Sequence, residues 1–285
     1  MNPNFYKKTG LAIINIARDF YTMQEGDRVP TIAEYTQRFS VSRGIVQKAI
    51  AALEADHCIE TQKNGVKGTF AVKLDYQKLY SYTNWGSLTG TMPVPLTESL
   101  SSLTTAICEE MEQSPFPFSF AYVTGSQKRL EALEKMIYDF IVVSKSSAEK
   151  YLKEYDFLEE AIELKNCIYS APYILYFFDE SKTEVEDGMR MAVDINSTDQ
   201  YEISKKLCEN KNVEFVQTPY STFSKLLTNK SVDCFIYRED GWYNNLKPDL
   251  KQIQIDLPNY SREEMVTPVI LIHKENYGFK KLISH

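Results

Sequence analysis

Apolar side chains recur at helical spacing near the start of the chain. Between residues 10 and 22 they fall on one side of a helix, as Leu11, Ile14, Ile16 and Phe20. After a polar connection, Thr31 and Glu34 form the T-x-x-E pattern of a capping box. The pattern therefore predicts a second, short helix over residues 32–39.

A third helix follows and has one apolar and one polar face. Its apolar stripe, at positions i, i+3, i+4 and i+7, comprises Val46, Ala49, Ile50 and Leu53. The opposite face presents Arg43, Gly44, Gln47, Lys48 and Ala51. Ser42 stands where a side-chain cap is expected. Two short helices joined by a tight turn, the second with a polar N-terminal face, predict a helix-turn-helix.

Residues 58–74 read as a β-hairpin behind this third helix. Two apolar runs flank a polar tip that contains Gly65 and Gly68, with Lys63 and Lys67 beside them. A hairpin in this position is the wing of a winged helix. We therefore predict that residues 1–75 form a winged helix-turn-helix domain of the α+β class.

From residue 91 onward, apolar runs alternate with amphipathic segments. Strands are predicted at residues 91–96, 118–123, 139–144, 173–178, 190–195, 213–217 and 233–238. Helices are predicted at residues 96–113, 126–137 and 146–163, after Thr198, and near 220–228. This alternation predicts parallel βαβ units in two groups, and so a two-lobed α/β domain over residues 91–285.

Residues 76–90 are predicted to link the two domains. Their aromatic stretch, residues 79–85, either pairs two subunits or packs on its own domain.

Polar clusters follow four of the predicted strands. Ligands in open α/β folds bind outside the carboxyl ends of strands, so one cleft is expected to collect these clusters. Gly125 and Ser126 also offer free backbone amides to an anion. The candidate ligand-binding residues are Thr124, Gly125, Ser126, Ser144, Lys145, Ser146, Asp194, Ser197, Thr198, Gln200 and Arg238. For each Ser or Thr, ordinary helix capping is the alternative.

Charge is uneven along the chain. The net charge is −7, which argues against general polyanion binding. Residues 1–75 contain ten Lys or Arg and eight Asp or Glu, a net charge of about +2, so the remainder carries about −9. The asymmetry suggests two parts with different partners.

The candidate chemistry of an enzyme is missing from the sequence. The five cysteines include no CxxC pair, and His57, His273 and His285 belong to no metal motif, so no metal or cofactor is expected. Neither G-x-S-x-G nor a P-loop occurs, which makes catalysis improbable. No apolar run approaches the roughly 18 residues of a membrane span, and Asn15, Arg18 and Asp19 interrupt any signal-peptide core. A cytoplasmic protein without membrane contact is expected.

Residues 29–70 resemble the DNA-binding domain of GntR-type transcription regulators. The matches are Val29-Pro30-Thr31, Tyr35-Thr36, Val41-Ser42-Arg43, Val46, Ala49-Ile50, Leu53-Glu54 and Gly68-Thr69-Phe70. The chain departs from the pattern at Ile32, where Glu is usual, and at Gly44, where Thr is common. The resemblance implies DNA contacts by Thr31, Ser42, Arg43, Gly44, Gln47, Lys48, Lys63, Lys67, Gly68 and Thr69.

The C-terminal portion, about two hundred residues, resembles the type 2 periplasmic-binding-protein fold of LysR-type effector domains. More closely, the segments GTMPVPL, YDFIVVSKSSAEKYL and VDINSTDQ resemble YhfZ-type regulators. These join a GntR-like winged helix to a binding-protein-like domain. The resemblance implies a homodimeric transcription regulator on double-stranded operator DNA, in which a small polar or anionic metabolite closes the two lobes. The alternative is a DNA-binding or adaptor protein whose C-terminal domain serves dimerisation only.

Overall fold

A computed structural model describes residues 7–112, 117–165, 167–229, 231–240, 250–257 and 261–276 of the 285-residue chain. The described chain forms two compact units, and the first extends to Leu88. The second begins at Thr89 and holds most of the remaining residues. No helix among the described residues is long and apolar enough to cross a bilayer.

The first unit combines helices with a small antiparallel sheet. Its first three helices are α1 (Lys8–Tyr21), α2 (Ile32–Phe39) and α3 (Arg43–Ala55). Its strands are β1 (Arg28–Val29), β2 (Ile59–Lys63) and β3 (Thr69–Leu74), in the order β1-β3-β2. A single 3₁₀ turn, Gly65–Lys67, forms the tip of the β2–β3 hairpin. The predicted helices and wing are present.

Local sequence explains where α2 and α3 begin. The Thr31 hydroxyl accepts the Glu34 N–H at 3.2 Å, and the Glu34 carboxylate accepts the Thr31 N–H, which completes the predicted capping box. Ser42 precedes α3 as predicted, but its hydroxyl accepts no backbone N–H. Its carbonyl accepts the Val46 N–H instead. The prediction of a side-chain cap at Ser42 is therefore wrong.

The aromatic stretch after the wing packs on its own unit. Helix α4 (Tyr76–Thr83) buries Leu79 and Thr83, and the Arg18 Nε of α1 donates to the Thr83 carbonyl at 2.8 Å. Tyr21 meets the Trp85 ring edge to face, with centroids 5.3 Å apart. Of the two alternatives for this stretch, the structure therefore supports packing within the unit.

The second unit contains two lobes, each built on a five-stranded sheet. Lobe 1 holds β4 (Leu88–Met92), β5 (Phe118–Tyr122), β6 (Phe140–Ser144), β7 (Leu158–Glu163) and β13 (Pro268–His273), in the order β5-β4-β6-β13-β7. Lobe 2 holds β8 (Tyr173–Phe177), β9 (Arg190–Val193), β10 (Glu214–Gln217), β11 (Cys234–Arg238) and β12 (Lys251–Gln254), in the order β10-β9-β11-β8-β12.

Helices cover both sheets, and the chain crosses between the lobes twice. Lobe 1 carries α5 (Glu98–Glu112), α6 (Ser126–Glu134), α7 (Lys145–Glu154) and α10 (Arg262–Val266). Lobe 2 carries α8 (Thr198–Leu207), a 3₁₀ segment (Tyr220–Lys225) and α9 (Leu226–Asn229). The crossings lie between β7 and β8 and between β12 and β13. Each lobe has its own apolar core, around Val143 and Leu271 in lobe 1 and around Met191 and Ile236 in lobe 2.

Three features differ from the sequence prediction. The sheets are mixed, because β13 runs antiparallel to β6 and β7, and β8 runs antiparallel to β11 and β12. The predicted helix over 146–163 stops at Glu154, and its last six residues form β7. The strand expected at 91–96 ends at Met92, since Pro93 and Pro95 lack the N–H that a sheet ladder needs.

Candidate functional site

Helix α3 has one side that is buried in the core and one side that is exposed. Val46, Ala49 and Leu53 are fully buried, which turns the opposite side of the helix outward. Arg43, Gly44, Gln47 and Lys48 are all exposed on that side. Within the described ranges, no ion pair or side-chain hydrogen bond engages Arg43, Gln47 or Lys48. Their donors and acceptors are therefore available to a partner.

Two hydroxyl groups flank this surface and differ in their freedom. The Ser42 side chain is exposed and caps nothing, so it can donate to a phosphate. The Thr31 side chain is also exposed, but its oxygen already accepts the Glu34 N–H. The Thr31 N–H holds the pKa of the Glu34 carboxyl below its usual value. The Thr31 hydroxyl therefore caps α2, and a contact with DNA would be a second role for this residue.

The wing presents two cations beside an apolar tip. The Asn64 N–H donates to the Gly68 carbonyl at 2.8 Å and closes the turn, while Lys63 and Lys67 stay exposed. Gly68 has φ +104°, and a Cβ there would lie 3.0 Å from Arg28 Nε. Val66 is fully exposed at the tip, a feature that the sequence analysis did not single out. Thr69 opposes Val29 in the sheet, which fixes the wing to β1.

A cavity of about 70 Å³ lies between the two lobes of the second unit. Its walls come from both lobes and from the crossing between β7 and β8. The predicted residues that line it are Thr124, Gly125, Ser126, Ser197 and Arg238. The remaining lining residues are Pro93, Val94, Leu96, Thr97, Leu100, Arg129, Ser147, Tyr169, Ser170, Tyr173, Asp199 and Tyr220.

Six predicted ligand-binding residues do not line this cavity: Ser144, Lys145, Ser146, Asp194, Thr198 and Gln200. Four of them make contacts within their own lobe that account for their position. The Asp194 carboxylate accepts the Tyr220 N–H at 2.8 Å, and Gln200 Oε1 accepts the Asp194 N–H. Lys145 forms a 2.9 Å ion pair with Glu163 on β7. The Ser144 hydroxyl accepts the Ser147 N–H, the capping role that was the stated alternative.

The predicted polar clusters instead join the lobes to each other. The Ser144 and Ser147 hydroxyls of lobe 1 donate to the two oxygens of Asp199 in lobe 2, at 2.6 and 2.8 Å. The Ser126 hydroxyl donates to Thr198 Oγ1 at 3.1 Å and accepts the Tyr151 hydroxyl at 2.9 Å. These side chains of lobe 1 and lobe 2 therefore bind one another along one border of the cavity.

Arg129 is the central residue that sequence reasoning missed. Its side chain is 2% exposed and lines the cavity from α6. One terminal nitrogen donates to the Val123 carbonyl at 2.8 Å and the other to the Tyr169 hydroxyl at 3.2 Å. Its Nε is buried and meets no hydrogen-bond partner in the described structure. An arginine on the apolar stripe shared with Leu130 and Leu133 was the signal that could have identified it.

A second guanidinium, that of Arg238, enters the cavity from lobe 2. It lies 3.5 Å above the Tyr173 ring and donates to the Ala171 carbonyl at 3.0 Å. Its other terminal nitrogen lies 3.5 Å from Asp199 Oδ2. Burial opposes its charge, yet the pKa of Arg238 is raised overall, with Tyr173 and Asp199 among the favourable neighbours. The group is therefore a permanent cation.

The tyrosines around the cavity stay neutral. Burial raises the pKa of Tyr151 to about 12, and it raises the pKa values of Tyr169 and Tyr220 as well. Ser170, which lies beside Tyr169, has a buried hydroxyl with no partner in the described structure. No group of His, Cys, Asp or Glu side chains among the described residues could hold a metal ion.

Comparison with known proteins places both parts of the chain. A helix-turn-helix domain family matches residues 24–71, and the family described as the YhfZ C-terminal domain matches residues 75–285. The protein YhfZ of Escherichia coli strain K12 is 28% identical over 237 residues, covering 83% of this chain and 77% of that protein.

Solved structures also align with much of the chain. YhfZ from Shigella flexneri aligns with a TM-score of 0.55 and 24% identity, over 73% of this chain and 87% of that one. The substrate-binding protein of a methionine transporter from Streptococcus pneumoniae aligns with a TM-score of 0.48 and 14% identity, over 70% and 87%. The chain has an N-terminal helix-turn-helix domain followed by a YhfZ C-terminal domain, and it belongs to the YhfZ family.

Proposed function

We propose that this protein is a cytoplasmic transcription regulator that binds operator DNA through α3 and the wing, and that a small anionic effector binds between its lobes. One observation carries the proposal. Helix α3 buries Val46, Ala49 and Leu53 of its apolar stripe and leaves Arg43, Gln47 and Lys48 exposed, with no side-chain partner among the described residues. Surface helices usually carry a polar outer face, and here that face is basic and lies on the second helix of a helix-turn-helix, directly after the tight turn. A helix that reads a major groove requires such a face.

The chemistry of each exposed group fits a duplex. Arg43 can donate two hydrogen bonds to a guanine edge, and Gln47 can pair with an adenine edge. Lys48 and the Ser42 hydroxyl can bind phosphate oxygens, which set register rather than sequence. Lys63 and Lys67 of the wing can bind the adjacent backbone. A homodimer would present two such surfaces to a palindromic operator.

The effector part of the proposal rests on buried donors that the protein leaves unsatisfied. Arg129 Nε and the Ser170 hydroxyl are both buried, both belong to residues that line the cavity, and neither has a partner among the described residues. An unmet buried donor costs on the order of 1–3 kcal/mol. An effector that supplies acceptor oxygens would recover this cost. A C-terminal unit used for dimerisation alone would gain nothing from keeping these groups unpaired.

The DNA-binding part is tested with a duplex selected from a random library. We expect Arg43→Ala to weaken binding by at least about 1 kcal/mol and to lower the salt dependence. Lys153→Ala is the matched control, because it removes an exposed cation from the C-terminal unit. Fluorescence anisotropy gives both affinities, and circular dichroism checks the fold. Equal affinities for the two variants would refute DNA contact by this face of α3.

A further inference from the structure

We infer that the effector is a compact monoanion, a short-chain carboxylate with one negative charge, rather than an amino-acid zwitterion or a dianion. The inference rests on the proposed effector role of the cavity. It is drawn from three properties of the cavity walls: their charge, their free hydrogen-bonding groups, and their size and apolarity.

Charge is the first property. Among the seventeen residues that line the cavity, the ionisable groups that carry charge are Arg129, Arg238 and Asp199. Guanidinium groups stay protonated in proteins, and the raised pKa values of the lining tyrosines keep those rings neutral. The walls therefore hold two positive charges and one negative charge. A bound molecule with a single negative charge brings the buried site to neutrality, whereas a zwitterion or a dianion leaves it charged.

The free hydrogen-bonding groups are the second property, and they are donors. Arg129 Nε and the Ser170 hydroxyl have no partner in the described structure, and a carboxylate accepts from both kinds of donor. The one carboxylate of the lining already has partners within the protein. Asp199 receives a serine hydroxyl on each oxygen and has Arg238 at 3.5 Å. An amino acid would therefore find unpaired donors for its carboxylate, whereas its ammonium group would have to share the one lining carboxylate with two hydroxyl groups and a guanidinium group.

Size and apolarity are the third property. A cavity of about 70 Å³ holds a molecule on the order of five to seven water-sized groups. Apolar walls complete the lining, and they include Val94, Leu96 and Leu100 together with the Tyr173 and Tyr220 rings. These walls suit a short carbon chain attached to the carboxylate. The other cation of the lining, Arg238, already has Asp199 at 3.5 Å, so the walls offer a second acidic group no unpaired cation.

Four small probes on the same length of carbon chain separate the classes by charge. They are lactate, a monoanion; alanine, a zwitterion; lactamide, which is neutral; and malonate, a dianion. We would titrate each into the full chain by isothermal calorimetry. Lactate is expected to bind at least about tenfold more tightly than the other three. Tighter binding of alanine or malonate would overturn the monoanion class while leaving an effector role intact. No binding by any probe would also overturn the inference. The DNA-binding experiment with Arg43→Ala does not depend on these probes, so its result would be unaffected.

Substitution of Arg129 adds a readout that a merely structural role would not produce. In Arg129→Gln the cavity loses its excess positive charge, so lactate affinity should fall at least about tenfold and lactamide should become the preferred probe. Arg129→Lys keeps the charge and should retain the preference for lactate. The surface variant Lys153→Gln should match the unsubstituted protein. An unchanged order of the four probes in Arg129→Gln would refute the assignment, and circular dichroism confirms that each variant is folded.

Discussion

At the scale of single residues, Gly125 controls how closely the two lobes approach. Its φ is +85°, and a Cβ added there would lie 2.8 Å from the Asn196 carbonyl oxygen of lobe 2. Gly188 has nearly the same φ, +83°, but open space around the added Cβ. Both Ala variants therefore share the backbone strain, of about 1–2 kcal/mol, and only Gly125→Ala adds a clash.

We expect Gly125→Ala to lower the free energy of unfolding of the C-terminal unit by at least about 1 kcal/mol more than Gly188→Ala does. Scanning calorimetry of the two variants gives this difference directly. Equal effects would show that Asn196 yields to the added methyl group and that the lobes are not held tightly at this point.

Arg129 and Asp199 should affect stability in opposite directions, although both are buried charges in the cavity wall. Removing Asp199 leaves two serine hydroxyls and the Arg238 guanidinium without their acceptor, so Asp199→Ala should cost about 3 kcal/mol. Arg129 has no carboxylate partner among the described residues, and its burial is itself unfavourable. Arg129→Met should therefore leave the thermal midpoint unchanged or raise it. A lower midpoint in Arg129→Met would mean that its bonds to Val123 and Tyr169 outweigh the cost of burial.

At the scale of elements, the residues that precede α2 and α3, Thr31 and Ser42, have different roles. The Thr31 hydroxyl accepts a backbone N–H of α2, whereas the Ser42 hydroxyl accepts none from α3. Thr31→Ala should therefore lower the stability of the N-terminal unit by about 1 kcal/mol. Ser42→Ala should change stability by less than about 0.5 kcal/mol and weaken DNA binding instead. Thermal unfolding and anisotropy on both variants check the contrast. A destabilised Ser42→Ala protein would show that the hydroxyl caps α3 after all.

The elements also differ in whether the local sequence was sufficient to predict them. Helices α1 to α3 and the wing carry their own signals, namely a 3.6-residue apolar period, a capping box and glycines at a turn. The segment of β7, Leu-Glu-Glu-Ala-Ile-Glu, consists of residues that mostly favour helices, and it becomes a strand because it pairs with β13. That partner strand lies about a hundred residues further along the chain. No local sequence pattern predicts such a distant pairing.

At the scale of the whole molecule, the candidate site shows the same division. Strand-end polarity located five residues on the cavity wall, namely Thr124, Gly125, Ser126, Ser197 and Arg238. It also selected Asp194 and Gln200, which bond to their own lobe, because the type of residue does not reveal which way its side chain faces. Arg129 and Ser170 were missed, since one lies inside a helix and the other on a crossing between the lobes. Only the folded chain brings these groups to one cavity.

Regulation requires that the occupancy of one unit changes the affinity of the other, and thermodynamics fixes the form of that dependence. If an effector changes operator affinity by some factor, the operator must change effector affinity by the same factor. We expect a factor of roughly 5–150, the usual range for allosteric coupling. Anisotropy with and without a saturating amount of the tightest-binding probe gives one side of the relation, and calorimetry with and without operator duplex gives the other. Arg43→Ala should weaken operator binding and leave the factor unchanged, because its contact with DNA is lost equally in both effector states. A factor of one on both sides would mean that binding of the probe between the lobes has no effect on DNA binding by α3. The C-terminal unit would then serve dimerisation alone.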